Sequence, residues 1–160
     1  IVTSGLSKAY GLPGLRIGWI VGPPSFVATT WAYHDYTSIA PGAINDRLAT
    51  IALSPPRRGR ILGRTRRILN ENFPAIATWL ARRDDLFTFA APEAGAVVFV
   101  RYRHAVNSTA LTTRLREEKG VLIVPGDQFG MDGYLRIGFG GPADQLVEGL
   151  HRLETLLRSL

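Results

Sequence analysis

The sequence predicts a mixed fold, α/β in its first third and α+β in the rest. Short β-branched apolar runs fit buried strands at Ile17–Val21, Ala96–Val100 and Val121–Val124. Longer stretches between them carry apolar residues at helical spacing. Gly- and Pro-rich turns punctuate the junctions, as at Gly22-Pro23-Pro24 and Pro125-Gly126.

In chain order, Ile1-Val2-Thr3 reads as a strand already under way, and Ile17 to Val21 as a second. Proline then opens a helix with Phe26, Val27, Thr30 and Trp31 at helical spacing, which lapses into the polar stretch His34-Asp35-Tyr36-Thr37-Ser38. The next helix, Pro41 to Leu53, places Ile44, Leu48, Ile51 and Ala52 on one face, and Pro55-Pro56 interrupts it. A long helix follows from about Arg57 towards Asn72 and, after or through a kink at Pro74, on to Arg83. It carries Ile61, Leu62, Ile68, Leu69, Ile76, Trp79 and Leu80. Arginines 57, 58, 60, 64, 66 and 67 crowd its first part; at 100° per residue they share no narrow stripe, so a solvated helix face with packed stems is the favoured reading over a nucleic-acid contact.

The second part predicts strands over Thr88–Ala90 and Ala96–Val100, then a helix over Ser108–Lys119 that buries Leu111 and Leu115 and stops at Gly120. Val121–Val124 is the next buried strand. In Tyr134 to Gly140, alternation puts Leu135, Ile137 and Phe139 on one face and Arg136 with Gly138 on the other. A guanidinium on an otherwise apolar strand is costly unless it is paired or lies at a solvated edge. Pro142, Asp144, Leu146, Leu150, Leu153, Leu157 and Leu160 define a final amphipathic helix.

The chain has 160 residues, 46% of them hydrophobic, enough for a real core. No apolar run approaches the ~20 residues that cross a bilayer, and no secretory signal is visible at the start. With no cysteine, nothing demands an oxidising compartment, and cytoplasmic is the default expectation. The net charge of +6 suits phosphate, carboxylate or nucleic acid alike. His104 and His151 show no ligand spacing, so no metal site is expected. His34 beside Asp35 suggests an acid/base pair, although neighbours on a surface turn are more often simply solvated.

The most informative stretch is Gly5-Leu6-Ser7-Lys8-Ala9-Tyr10-Gly11-Leu12-Pro13-Gly14-Leu15-Arg16-Ile17-Gly18. Gly11, Gly14 and Gly18 permit positive φ and close backbone approach, Arg16 offers a planar fork of donors for a phosphate, and Lys8 offers a nucleophilic amine. An amine and a phosphate clamp on one loop fit a carbonyl cofactor that carries a phosphate, such as pyridoxal 5'-phosphate. The spacing excludes a nucleotide P-loop, a nucleophile elbow and a penicillin-type Ser-x-x-Lys site.

This stretch resembles the lysine-attachment signature of class I/II aminotransferases, the fold type I enzymes dependent on pyridoxal phosphate. The resemblance implies that Lys8 is the catalytic lysine that carries the cofactor, that Arg16 holds its phosphate, and that Arg136, in the context Arg-Ile-Gly-Phe-Gly, binds a substrate α-carboxylate. Many members have a serine where this chain has Gly5, so Ser4, Ser7 or a backbone amide would take its place at the phosphate. Residues 1–55 would then be the end of the cofactor-binding large domain and 56–160 the small C-terminal domain. Well over half of a usual subunit would precede residue 1, which makes the chain a C-terminal fragment, inactive alone. The fragment's turns at Pro92–Ala96 and Pro125–Gly130 would lie near the substrate cleft, and Tyr36 and Thr37 near the neighbouring subunit of a homodimer.

The implied function is transfer of an amino group between an α-amino acid and a 2-oxo acid. Two alternatives share these residues. One is another reaction on the same cofactor, by a decarboxylase, lyase or cyclising synthase. The other is the cofactor-sensing domain of a winged-helix transcription regulator, the only reading with a nucleic-acid partner.

Overall fold

A computed structural model describes all of residues 1–160. The chain divides into two compact units, Ile1–Arg67 and Ile68–Leu160. The division falls inside a helix, whereas the expected large-domain boundary near residue 55 falls at that helix's start.

In the first unit β1 (Val2–Gly5) and β2 (Gly18–Val21) pair antiparallel, with Val2 opposite Val21 and Gly5 opposite Gly18. The loop between them contains a short 3-10 turn, Pro13–Leu15, and drives Leu6 and Tyr10 into a small core. α1 (Pro24–His34) buries none of its residues. α2 (Ala43–Leu53) buries Ala49 and Ala52, with Leu53 packed beside them, a stripe at i, i+3, i+4. The expected face is therefore corrected: Ile44 and Leu48 stand out in solvent, because small residues, not the large ones, meet the loop.

α3 is one helix of 27 residues, Pro55–Ala81. It begins at Pro55 and not at Arg57, since proline is tolerated in a first helical turn where its missing N–H would be unpaired in any case. It also runs through Pro74. That ring cannot donate to the carbonyl of Asn70, and both residues are exposed, so water can take the free acceptor. Ile61 and Leu62 pack in the first unit's core, and Leu69, Phe73, Ile76, Trp79 and Leu80 in the second's.

The second unit is built on an antiparallel sheet of β3 (Phe87–Phe89), β4 (Val97–Tyr102), β5 (Val124–Pro125) and β6 (Tyr134–Gly138), in the order β3-β4-β6-β5. Val98, Val100, Leu135 and Ile137 line its buried face. Against them pack Leu111 and Leu115 of α4 (Ser108–Lys119) and Leu150, Leu153, Leu156 and Leu157 of α5 (Ala143–Leu157). The strand expected over Val121–Val124 shrinks to Val124–Pro125, because only these two residues find partners on β6, and Leu122 is left exposed.

Two polar contacts fix the ends of these elements. Buried Asn72 of α3 donates from Nδ2 to the carbonyls of Phe139 and Gly141, both at 2.8 Å, just where β6 hands over to α5. At the start of α4, Asn107 Oδ1 accepts from the amides of Thr109 and Ala110, and Asp132 accepts from those of Ser108 (2.7 Å) and Gly133 (2.8 Å). The bond from the Ser108 amide comes first among the causes that pull the Asp132 carboxyl from 3.8 down to about 2.

Replacing Asn72 with alanine strips both carbonyls of their donor and is expected to lower unfolding stability by about 2–3 kcal/mol in denaturant titration. Asp132 makes a different prediction. Its folded pKa lies below its ordinary value, so its contribution is complete above pH 3.8 and is lost as pH falls towards 2. Thermal melts of Asp132→Asn against wild type should therefore differ above pH 4 and converge near pH 2.

Candidate active site

Lys8 lies at the exposed crest of the β1–β2 loop. The loop is closed at its base by Leu6 N–H donating to Ile17 O (3.0 Å) and Leu12 N–H donating to Leu6 O (2.9 Å). Within it, Gly11 N–H donates to Lys8 O (2.9 Å), a tight turn that Gly11 permits at φ 62°. Leu6 is fully buried, and Tyr10 packs edge-on against Trp19 at 6.4 Å. The crest is thus held by apolar anchors below it.

Arg16 follows the 3-10 turn in a left-handed conformation (φ 51°, ψ 38°), an uncommon state for a residue with a Cβ. That conformation reverses the chain so that Ile17 and Gly18 can enter β2. Its Nη1 donates to Pro13 O at 3.2 Å, and the rest of the guanidinium faces solvent. Ser4 is exposed on β1 and Ser7 is half-buried beside Lys8. The chain's ion pairs all fall between residues 83 and 158, so neither Lys8 nor Arg16 has a carboxylate partner.

Gly5 and Gly18 face each other across the hairpin. A Cβ on Gly5 would stand 3.0 Å from Ile17 O and 3.3 Å from Gly18 Cα, and one on Gly18 would stand 3.0 Å from Ser4 O. Backbone presses on both, which is a physical reason for glycine at each position.

Arg136, in the second unit, projects from the sheet face opposite the helices, as alternation requires, and takes part in no ion pair. It sits across from Phe99 in register. Phe99 stacks on Tyr134 (5.1 Å, 14° between planes) and meets Phe129 edge-on at 6.1 Å. Val97, Phe99, Phe129 and Arg136 line a cleft of ≈ 330 Å³. Phe129 is presented by a 3-10 turn, Gly126–Phe129, where a Cβ on Gly126 would overlap the Met131 carbonyl. The aromatic group was not legible from spacing, since its members lie on three separate segments.

The structure does not link His34 with Asp35. The imidazole lies against the Trp31 ring at 5.6 Å, and no hydrogen bond joins it to the carboxylate. Tyr36 is 90% exposed. Two members of the arginine cluster depart from the solvated-face reading: Arg64 Nη2 donates to Tyr10 O at 3.0 Å, and Arg58 Nε reaches Tyr10 Oη at 3.4 Å. Only the fold could reveal that, because the partners are more than forty residues apart.

The lysine loop on its hairpin, followed by an antiparallel sheet backed by helices, has the fold found in the fold type I pyridoxal-phosphate enzymes. Residues 1–153 match the profile of the family "Aminotransferase class I and II", and the chain belongs to that family. It is 35% identical, over 151 residues, to capreomycidine synthase of Streptomyces vinaceus, covering 91% of this chain and 37% of that protein. It is 29% identical to an aspartate aminotransferase of Streptomyces avermitilis, covering 98% of this chain and 40% of that one. Among solved structures, a PLP-dependent aminotransferase from Streptococcus suis superposes with a TM-score of 0.92 at 35% identity, covering 98% of this chain and 41% of that one. The PLP-dependent cyclase OrfR superposes with a TM-score of 0.90 at 29% identity, covering 98% and 42%. The chain thus spans about two fifths of the length of these relatives.

Membership of this family implies pyridoxal 5'-phosphate as the cofactor. The donor set fits it. A primary amine suits its aldehyde, an unpaired guanidinium suits its phosphate, and both stand exposed on one loop with two hydroxyls nearby.

Replacing Gly5 with serine should crowd Ile17 O and lower stability by about 1–2 kcal/mol, read as a reduced midpoint in denaturant. An unchanged or raised midpoint would show that the hairpin has slack the geometry does not suggest.

Proposed function

We propose that the whole protein is a pyridoxal-phosphate enzyme that transfers an amino group between an α-amino acid and a 2-oxo acid. The observation that carries this reading is the β1–β2 loop, which presents the unpaired amine of Lys8 and the unpaired guanidinium of Arg16 from a hairpin closed by facing glycines. When bound, the cofactor supplies an electron sink that makes bonds at the substrate α-carbon labile.

The chain's own residues then have these roles. Lys8 Nζ would hold the cofactor, and the same amine is placed to move a proton to and from the substrate α-carbon. Arg16 holds the phosphate with the guanidinium edges not used on Pro13, and Ser4 and Ser7 supply hydroxyl donors to the same group. Arg136 fixes the substrate α-carboxylate by a two-pronged hydrogen bond. Residues 1–55 belong on this reading to the cofactor domain, residues 56–160 to the small domain, and the assembly is a homodimer.

A second reading keeps the cofactor and changes the product. The similarity to capreomycidine synthase and to the cyclase OrfR favours a cyclising synthase acting on an amino acid.

The test is a visible spectrum of the whole protein loaded with pyridoxal phosphate, before and after a mixed pool of amino acids, with product analysis. Conversion of the cofactor to its amine form with release of a 2-oxo acid supports amino transfer. A ring-closed product with the cofactor spectrum regenerated favours the synthase. Lys8→Ala should abolish the lysine-bound absorbance and reduce turnover by at least a thousandfold, and a variant that kept both would sink the assignment of Lys8.

A further inference from the structure

The six arginines of early α3 look alike in sequence, yet Arg64 is tied to the reactive loop. Its Nη2 donates to Tyr10 O at 3.0 Å, two residues beyond Lys8. Gly11 makes room for that bond. It turns the Tyr10–Gly11 peptide with φ 62°, and a Cβ there would stand only 2.8 Å from Nη2. The next bond along the loop, Gly11 N–H to Lys8 O, passes the constraint to the lysine's own backbone. Below it the Tyr10 ring is buried beside Trp19, and its hydroxyl meets Arg58.

We propose that Arg64 is a positioning residue for Lys8. Its guanidinium clamps the Tyr10 carbonyl to α3 and so fixes where the Lys8 backbone stands, and with it the reach of Nζ. The inference rests on the reading of Lys8 as the cofactor-bearing amine. Without the clamp, the Tyr10 side chain stays anchored by its burial, but the backbone from Ser7 to Gly11 has only the Leu6 and Leu12 amide bonds at its base and the Gly11–Lys8 turn to hold it. A charged donor on a backbone carbonyl is the kind of contact that removes such freedom, and placement errors of about 1 Å at a reacting group cost up to ~100-fold in rate.

The experiment uses the whole protein without cofactor, as wild type, Arg64→Met and Arg64→Lys. Methionine keeps an apolar stem without a donor, and lysine restores one donor. Two quantities are read: deuterium exchange at the amides of Ser7–Leu12, and the rate at which added pyridoxal phosphate develops its lysine-bound absorbance. In Arg64→Met the Gly11 amide should exchange at least tenfold faster, and attachment should be about tenfold slower with the same final amplitude. Arg64→Lys should recover most of both. Exchange and attachment rates equal to wild type would overturn the proposal, as would a lowered melting temperature with an unchanged attachment rate, the mark of a merely structural contact. Should Arg64→Met not fold, Arg64→Leu, with a shorter apolar stem and no donor, takes its place under the same criteria. Borohydride reduction of wild type tests the underlying reading separately, because failure to find a pyridoxyl group on Lys8 would remove that reading and this inference together.

Discussion

The contact on which the site depends is the close approach of Gly5 and Gly18. The absence of side chains on this pair lets β1 and β2 meet where a Cβ on either residue would stand 3.0 Å from a backbone carbonyl oxygen, closer than ordinary contact. That approach brings Leu6 N–H onto Ile17 O and so turns the intervening residues into a closed loop. Leu6 then locks the loop from beneath by burial, and Leu12, Leu15 and Ile17 pack around it. With the base closed by backbone bonds and the underside filled, Ser7 to Gly11 must rise as a crest. The sequence therefore exposes Lys8 by burying its neighbours.

The second unit solves another problem. Four antiparallel strands have one face filled by α3, α4 and α5, and the alternation of β4 and β6 sends Phe99, Arg101, Tyr134 and Arg136 to the other. A guanidinium on such a face keeps its hydration while the Phe99–Tyr134 stack supplies a flat, apolar neighbour. Burying Arg136 among the aliphatic residues behind the sheet would have required an acidic partner, and none is placed there. The face thus sets a hydrated, unpaired guanidinium beside a flat apolar stack.

Much of this was legible in the sequence, for identifiable reasons. Period-two alternation in Tyr134–Phe139 fixed the exposure of Arg136, and Leu150, Leu153 and Leu157 fixed most of the packed face of α5, because both patterns are local; Leu160, expected on that face, lies exposed beyond the end of the helix, and Leu156 takes a buried place there instead. The glycine-rich loop was legible because it is one contiguous motif. What escaped was set by partners distant along the chain. Ile44 and Leu48 carry the apolar periodicity of α2, but the loop under α2 admits alanines instead. Val121–Ile123 has the composition of a strand, but β6 offers pairing only to Val124 and Pro125. Arg58 and Arg64 look like a solvated face until Tyr10 arrives beneath them.

Arg16 joins these strands of argument. A left-handed, non-glycine residue costs about 1–3 kcal/mol, so a sequence optimised only for stability would place glycine or asparagine at this turn. The neighbouring Gly14 shows that glycine was available nearby, yet the strained position holds the one side chain on the loop that is always charged. The hairpin constrains that conformation: β2 begins at Gly18 to meet Gly5, and the 3-10 turn ends at Leu15 to pack with the Leu6 cluster, leaving only Arg16 and Ile17 to join them, of which Arg16 takes the left-handed turn. A site that spends stability to keep a guanidinium at a fixed distance along one loop from an amine breaks a local rule where function would require it, and compensates through the backbone bonds at its base.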